Sequence, residues 1–371
     1  MIRILTSTMG LGTYVPALLL ADYLKGRQKE CQVQVIESYL GDEKLNKFLM
    51  NKEQYHQSFK VARLGHKLAE KKLSGLLEAS EEAAVINEWD SEPAEAFLVM
   101  SGNWLDVLLR YLQFGRIEAD SVYMIHMDVG TTPSWFRFAN LTVFPHLRVY
   151  DEDGVNYRFE YPELEKKDLF EDEAEEKPWI YLHGGGWGMG TYRECGQKLK
   201  ESLPYRVRTT IHHMDEADFL EGWEYYLMDP EWRPWNSENG CLYPSIYRVC
   251  DAHRKIKIPN EHHQGMYSLY QNSCAIISKA GGGTLMDSLI TATPLVFIDP
   301  IAKHEEENQK LWVKLGLGIR LEDWEKENYS LAVLKKLYEN ILDYRRKIPG
   351  IGESVLAGMT TEEYRENYAD V

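Results

Sequence analysis

Cysteine is scarce in this chain of 371 residues: Cys31, Cys195, Cys241, Cys250 and Cys274 make an odd number, with no C-x-x-C pair. That argues against a disulfide framework and fits a reducing compartment. No run approaches the roughly 18 apolar residues of a membrane span. The opening MIRILTSTMG has no basic segment followed by a long apolar core, so a cytoplasmic protein is expected. Positive charge is short as well: 42 Lys and Arg against 58 Asp and Glu leave a formal charge of −16. The resulting field opposes nucleic-acid binding and disfavours contact with an anionic bilayer. A small anionic ligand stays compatible, because a helix start or a glycine nest binds phosphate locally.

The first loop also lacks something. STMGLGTYVPALLL follows the apolar stretch Ile2–Leu5 and carries Gly10 and Gly12, but the third glycine of a dinucleotide fingerprint would fall at Val15. A tight strand-to-helix turn, with Pro16 in the first helical turn, explains the stretch equally well. Beyond it, apolar β-rich runs alternate with helical patterns. These are IRIL, VQVIES, AFLVMSG, VYMIHMD and LTVFP, then WIYLHG, YRVRTTI, CAIISKAG and PLVFID. That rhythm predicts an α/β protein with parallel sheets, and the length predicts two domains. The charge-dense ELEKKDLFEDEAEEKP reads as the linker, with the boundary near residue 175.

Two segments break the rhythm. Residues 42–82 carry Phe48, Tyr55, Phe59, Leu64, Leu68, Leu73 and Leu77 at the spacing of one or two amphipathic helices, which reads as core or lid packing, with a membrane-surface or acceptor-binding role as the alternative. Residues 219–247 read as an aromatic insertion with Trp223, Trp232 and Trp235, packing on itself or facing a sugar or base.

The richest stretch is IISKAGGGTLMDSLITATPLVFIDPIAKHEEENQ, residues 276–309. A strand ends at Ser278, Gly281, Gly282 and Gly283 open a helix, and Thr284 can cap it. Consecutive N–H groups at such a start suit a diphosphate. Asp287, one turn on, suits two vicinal hydroxyls of a ribose, and His304, Glu305 and Glu306 suit a hexose.

This stretch closely resembles the donor signature of monogalactosyldiacylglycerol synthases and of the N-acetylglucosaminyltransferase that completes lipid II, which are family 28-like glycosyltransferases. The resemblance implies a GT-B fold, two Rossmann-like domains facing a cleft. It further implies inverting, metal-independent transfer from a UDP-sugar, with no cofactor and no metal ligands. In that pattern residue 287 holds the ribose, the glycines hold the diphosphate, and residues 305 and 306 lie near the sugar. HGGGWGMGTY, with Gly184, Gly185, Gly186 and Gly188, resembles the loop that opens the second domain. MDVGTTPSWF, with Asp128 and Trp135, resembles a further first-domain stretch. The implied division is an acceptor domain at 1–175, a nucleotide-sugar domain at 176–345, and a tail at 346–371 whose helix, around TTEEYRENYAD, returns to the first domain.

Where the family's first loop has an aspartate and a histidine, this chain has Thr8 and Thr13, and the histidine before proline in the second stretch is Thr132. Threonine is no general base at neutral pH. Three readings follow: a relocated base, with Asp128 and His126 as candidates; an acceptor that needs no base; or a protein that binds but does not transfer. Gly10, Gly12, Thr13 and Trp135 are expected on the acceptor side. The acidic charge favours a small soluble acceptor such as a nucleoside or an antibiotic precursor, with a lipid as runner-up. A UDP-sugar 2-epimerase and a noncatalytic binder are the alternatives in kind. Asp151-Glu152-Asp153 reads as a turn rather than a metal-binding D-x-D. Cys241, Cys250, His253, His262 and His263 lack a zinc spacing. His212-His213-Met214-Asp215-Glu216 falls after a strand, where ligands bind.

Overall fold

Ile2–Thr6, wholly buried, forms β1, and Leu11–Gly26 follows it as α1. The computed structural model describes residues 1–71, 75–164, 169–170, 177–200, 204–234 and 242–360. After α1 the first half continues with β2 (Cys31–Val35), α2 (Asp42–Gln57), α3 (Phe59–Ala69), α4 (Ala79–Ser91) and β3 (Ala96–Val99). It closes with α5 (Leu105–Gln113), β4 (Val122–His126) and β5 (His146–Arg148). Its sheet has the order β2-β1-β3-β4-β5, all parallel, with Ile2 paired to both Cys31 and Ala96.

The second half opens with β6 (Trp179–Leu182), α6 (Tyr192–Leu199), β7 (Arg206–Ile211), β8 (Trp223–Met228), β9 (Ile246–Asp251) and β10 (Arg254–Ile258). It continues with α7 (Gln264–Gln271), β11 (Ile276–Ser278), α8 (Gly282–Thr291), β12 (Leu295–Phe297), α9 (Lys303–Lys314) and β13 (Gly318–Arg320). The last helices are α10 (Leu321–Lys326), α11 (Leu331–Arg345) and α12 (Ile351–Thr360). This sheet runs β10-β9-β8-β7-β6-β11-β12-β13, with antiparallel pairing only at β8-β9 and β9-β10.

Each sheet therefore reverses its winding once, between β1 and β3 and between β6 and β11, and ligands bind outside the carboxyl ends of the strands at such points. The two reversal points face each other. Leu18, Leu19 and Leu24 of α1 share one apolar cluster with Leu285, Met286 and Leu289 of α8, so the halves are packed together. Burying each such leucine contributes roughly 1.5–3 kcal/mol. α12 returns to the first half: Gly352 lies against the Tyr23 ring, and the Ile351 N–H donates to the Arg158 carbonyl at 2.9 Å. The stretch TTEEYRENYAD lies, from Thr361 on, outside the described residues, as does most of the charged linker.

Several local expectations are corrected. LTVFP is not a strand; pairing starts one residue past it, at His146, because Pro145 has no N–H to give a ladder. The aromatic segment 219–247 is no self-packed insertion, since Trp223–Met228 is β8, a central strand paired with both β7 and β9. Trp235 lies outside the described residues. The stripe over residues 42–82 is only partly core: Phe48 and Leu77 are buried, whereas Leu64 and Leu68 are about three-fifths exposed (58% and 62%). Leu73 lies outside the described residues. Pro16 sits in the second turn of α1, leaving the Gly12 carbonyl without its i+4 donor.

Candidate functional site

The loops at the two reversal points meet backbone to backbone. Gly10 caps α1 at φ 93°, a conformation that disfavours a side chain, and a Cβ on Gly283 would stand 2.9 Å from the Gly12 Cα. Glu37, fully buried, underpins the first loop by accepting from the Ser7 hydroxyl (2.5 Å) and the Thr8 N–H (3.0 Å). Burial raises the pKa of Glu37. Thr13 donates its hydroxyl to the Ser7 carbonyl at 3.2 Å, so it braces the turn. From the other half the Trp187 indole N–H donates to the Thr8 carbonyl at 2.8 Å, fastening the glycine loop 184–188 to this turn.

Between these loops lies a cavity of about 240 Å³. The first half lines it with Gly10, Gly12, Thr13, His66 and Asp128. The second half contributes Gly184, Gly185 and Gly186, then Gly281, Gly282, Gly283, Thr284 and Asp287, then His304 and Glu305. Ser278 ends β11 buried, and its hydroxyl makes no hydrogen bond. Gly188 sits behind the cavity, its carbonyl 3.0 Å from His56 Nδ1. Neither residue lines the cleft. Glu306, the next residue on α9, is exposed to solvent, whereas Glu305 is buried. His126 and Trp135 are not brought to the cleft either: their rings pack at 4.4 Å, and His126 Nε2 lies 3.0 Å from His146 Nδ1. Because His146 Nε2 donates to the Leu141 carbonyl (2.8 Å), its Nδ1 accepts from His126. Burial drives His126 down to about 3, so it is neutral and spent.

Asp128 spans the cleft. Its Oδ1 accepts from the Gly282 N–H at 3.1 Å and from the Asn308 amide at 2.7 Å, while Asn308 accepts from the Val129 N–H at 2.9 Å. Burial raises the pKa of Asp128. Burial likewise lifts Asp287 to about 8, leaving it mostly protonated at neutral pH and able to both donate and accept. Lys279 and Glu305 form a buried pair at 3.1 Å beneath the glycines, with Glu305 also accepting from the Ile301 N–H at 2.7 Å. Lys279 holds the Glu305 pKa down. His183 accepts from the Gly185 N–H on Nδ1 (2.9 Å), which puts its proton on Nε2, an unpartnered donor in a residue that lines the cleft.

Lys279, His183, His66 and Glu37 escaped the sequence reading. Lys279 and His183 adjoin the glycine runs, and that adjacency was a usable signal. His66 sits inside a lysine-rich helical stretch, and nothing nearby marks it. Elsewhere, Asp151 forms a turn by accepting from the Asp153 and Gly154 N–H groups. His212 to Glu216 serve a different contact. Glu216 accepts from His56 of α2, from Arg193 (2.8 Å) and from the His212 N–H (2.9 Å), which pulls its pKa down to about 2 despite burial. Among the described residues no group of three or more His, Cys, Asp or Glu is arranged to hold a metal ion; Cys241 lies outside them.

Residues 251–353 match the family model of the glycosyltransferase family 28 C-terminal domain. The chain is thus similar, over those residues, to family 28 glycosyltransferases. Its frame is similar to that of MurG from Acinetobacter baumannii, at 14% identity and a TM-score of 0.52 over 96% of this chain and 98% of that one. Glycosyltransferase VinC in complex with dTDP gives 10% identity and 0.56 over 96% and 98%. SnogD from Streptomyces nogalater gives 12% identity and 0.52 over the same shares. These likenesses show the GT-B fold across nearly the whole chain. No curated protein matches it by sequence. The family 28 match begins within β9, so it takes in Lys279, the glycines that open α8, Asp287 and the start of α9, and leaves the first-half wall of the cleft uncovered.

Proposed function

We propose that the chain transfers a sugar, with inversion, from a UDP-sugar to a small acceptor held against the first half. The observation that carries this reading is the start of α8. It opens with Gly281, Gly282 and Gly283 at the reversal point of the second sheet, above the buried Lys279–Glu305 pair. Backbone N–H groups, the helix dipole and the Lys279 ammonium converge where a diphosphate would gather negative charge as the anomeric bond breaks. Asp287 holds the ribose in this reading. His304 and Glu305 adjoin the sugar, and Gly10, Gly12 and Thr13 let the acceptor approach the first turn closely. The dTDP in the VinC complex supports a nucleotide-sugar donor.

One feature favours a lipid as the second reading for the acceptor. α3 exposes Val61, Leu64 and Leu68 beside Lys60, Arg63 and Lys67. Among the described residues no helix is long and apolar enough to cross a membrane, so any such contact is peripheral.

The test is calorimetric titration with UDP, followed by incubation with a panel of UDP-sugars alone and with soluble or diacylglycerol acceptors. Micromolar UDP binding and a glycosylated product are expected. An isomerised UDP-sugar formed without acceptor would replace the transferase reading with an epimerase, and absence of UDP binding would overturn both.

A further inference from the structure

The cleft lacks a base at Thr8 and Thr13, and the two sequence candidates are engaged: Asp128 Oδ1 accepts two N–H groups, and His126 faces His146. One first-half imidazole does line the cleft. His66 comes from α3, where it projects to the cavity wall and stacks on His304 with ring centres 5.0 Å apart and planes 15° apart. Its Nδ1 is buried and makes no hydrogen bond, and the Glu70 carboxylate stands 3.7 Å away. A buried nitrogen with no partner is costly to leave unsatisfied, which marks it as a place where a ligand group belongs.

We propose that His66 is the acceptor-activating base, supplied by α3 rather than by the first loop. The inference rests on the transferase reading above. The acceptor O–H or N–H gives its proton to the His66 imidazole as its heteroatom bonds the anomeric carbon. The bond from that carbon to the UDP oxygen breaks, and its electron pair leaves on the diphosphate. His304, stacked on His66, orients the ring from the donor side.

The groups facing His66 explain why it waits for donor. His304 from α9 and Lys279 from the loop before α8 oppose its protonation, Glu305 from α9 favours it, and Glu70 lies on its own helix. Burial and His304 bring the pKa of His66 down to about 4. A bound diphosphate places negative charge beside Lys279 and the glycines, and that charge stabilises the imidazolium. Donor binding thus raises the basicity of His66 when a base is needed.

Two measurements test this on the full chain. In the first, UDP release from a UDP-glucose solution is followed with water standing in for the acceptor, for wild type, His66→Gln, His66→Ala and Asp128→Asn. His66→Gln is expected to bind UDP like wild type and to lose about 100-fold in turnover, with the acidic limb of the pH profile gone. Added imidazole is expected to restore turnover to His66→Ala. In the second, calorimetry of UDP binding near pH 6 in buffers of different ionisation heat is expected to show proton uptake that His66→Gln lacks. Unchanged proton uptake together with unchanged turnover in His66→Gln overturns the proposal while leaving the donor reading intact. A loss confined to Asp128→Asn assigns the base to Asp128 instead. Absence of UDP binding by wild type overturns the donor reading and this role with it.

Discussion

On the second-half side of the cleft, Lys279 to Asp287 form one continuous stretch, joined by the neighbouring loop 183–187, and much of what they offer is backbone N–H. The first-half side takes Gly10 to Thr13 from the end of β1, His66 from α3 and Asp128 from the end of β4, and what these segments add is mainly side chains. In the proposed reading, a diphosphate has the same shape whatever sugar it carries, so a rigid helix start would serve it. An acceptor would have to be chosen and deprotonated, which calls for side chains placed by packing. The second-half side is therefore a local motif and the first-half side a tertiary assembly.

Substitutions can break this contrast, and the largest effect is expected at the helix start. A Cβ on Gly282 collides with the Met127 carbonyl, so Gly282→Ala is expected to open the contact between the halves and weaken UDP binding by about 100-fold, read by calorimetry. Glu216→Gln should detach α2 from the second half at a cost of about 2–3 kcal/mol, measured by urea unfolding. Because the folded pKa of Glu216 is depressed, its contribution is fully present above the unfolded value near 4.5 and is lost as pH falls toward about 2.

Asp287→Asn separates binding from stability. With a folded pKa of about 8 against 3.8, the folded state holds the proton more tightly, so wild type loses stability as pH rises from about 4 to 8. The amide variant is expected to melt higher at pH 8, with the gain shrinking toward pH 4, while UDP affinity falls about tenfold. The smallest effect is expected on α3: Leu64→Glu with Leu68→Glu should change stability by less than about 0.5 kcal/mol, because both side chains are already in water. Loss of vesicle binding with UDP affinity intact would establish the lipid reading of the acceptor, and unchanged transfer to a soluble acceptor would exclude it.

How far the sequence could be read tracks this same contrast. Alternating apolar runs announced the parallel sheets, since strands covered on both faces need continuous apolar residues, and the glycine run before TLMDSL announced the start of α8. Glu305 and Glu306 could not be told apart until the helix turned one into the cleft and the other to solvent. His126 and Asp128 looked equivalent two residues apart in VYMIHMD, yet His126 closes β4 and meets His146 of β5, whereas Asp128 lies past the strand end, where the chain leaves the sheet and reaches Gly282.

By itself, then, the chain's order of residues determined two α/β halves and a glycine-opened helix start in the second, because periodicity and glycine conformation act over a few neighbouring residues. Only the tertiary structure decided which titratable groups share the cleft. His66 reaches His304 because α3 packs across the opening, and Asp128 reaches Gly282 because α1 and α8 draw the halves together. Burial and charge at those meetings set what each group can do, and both depend on residues far away in the chain.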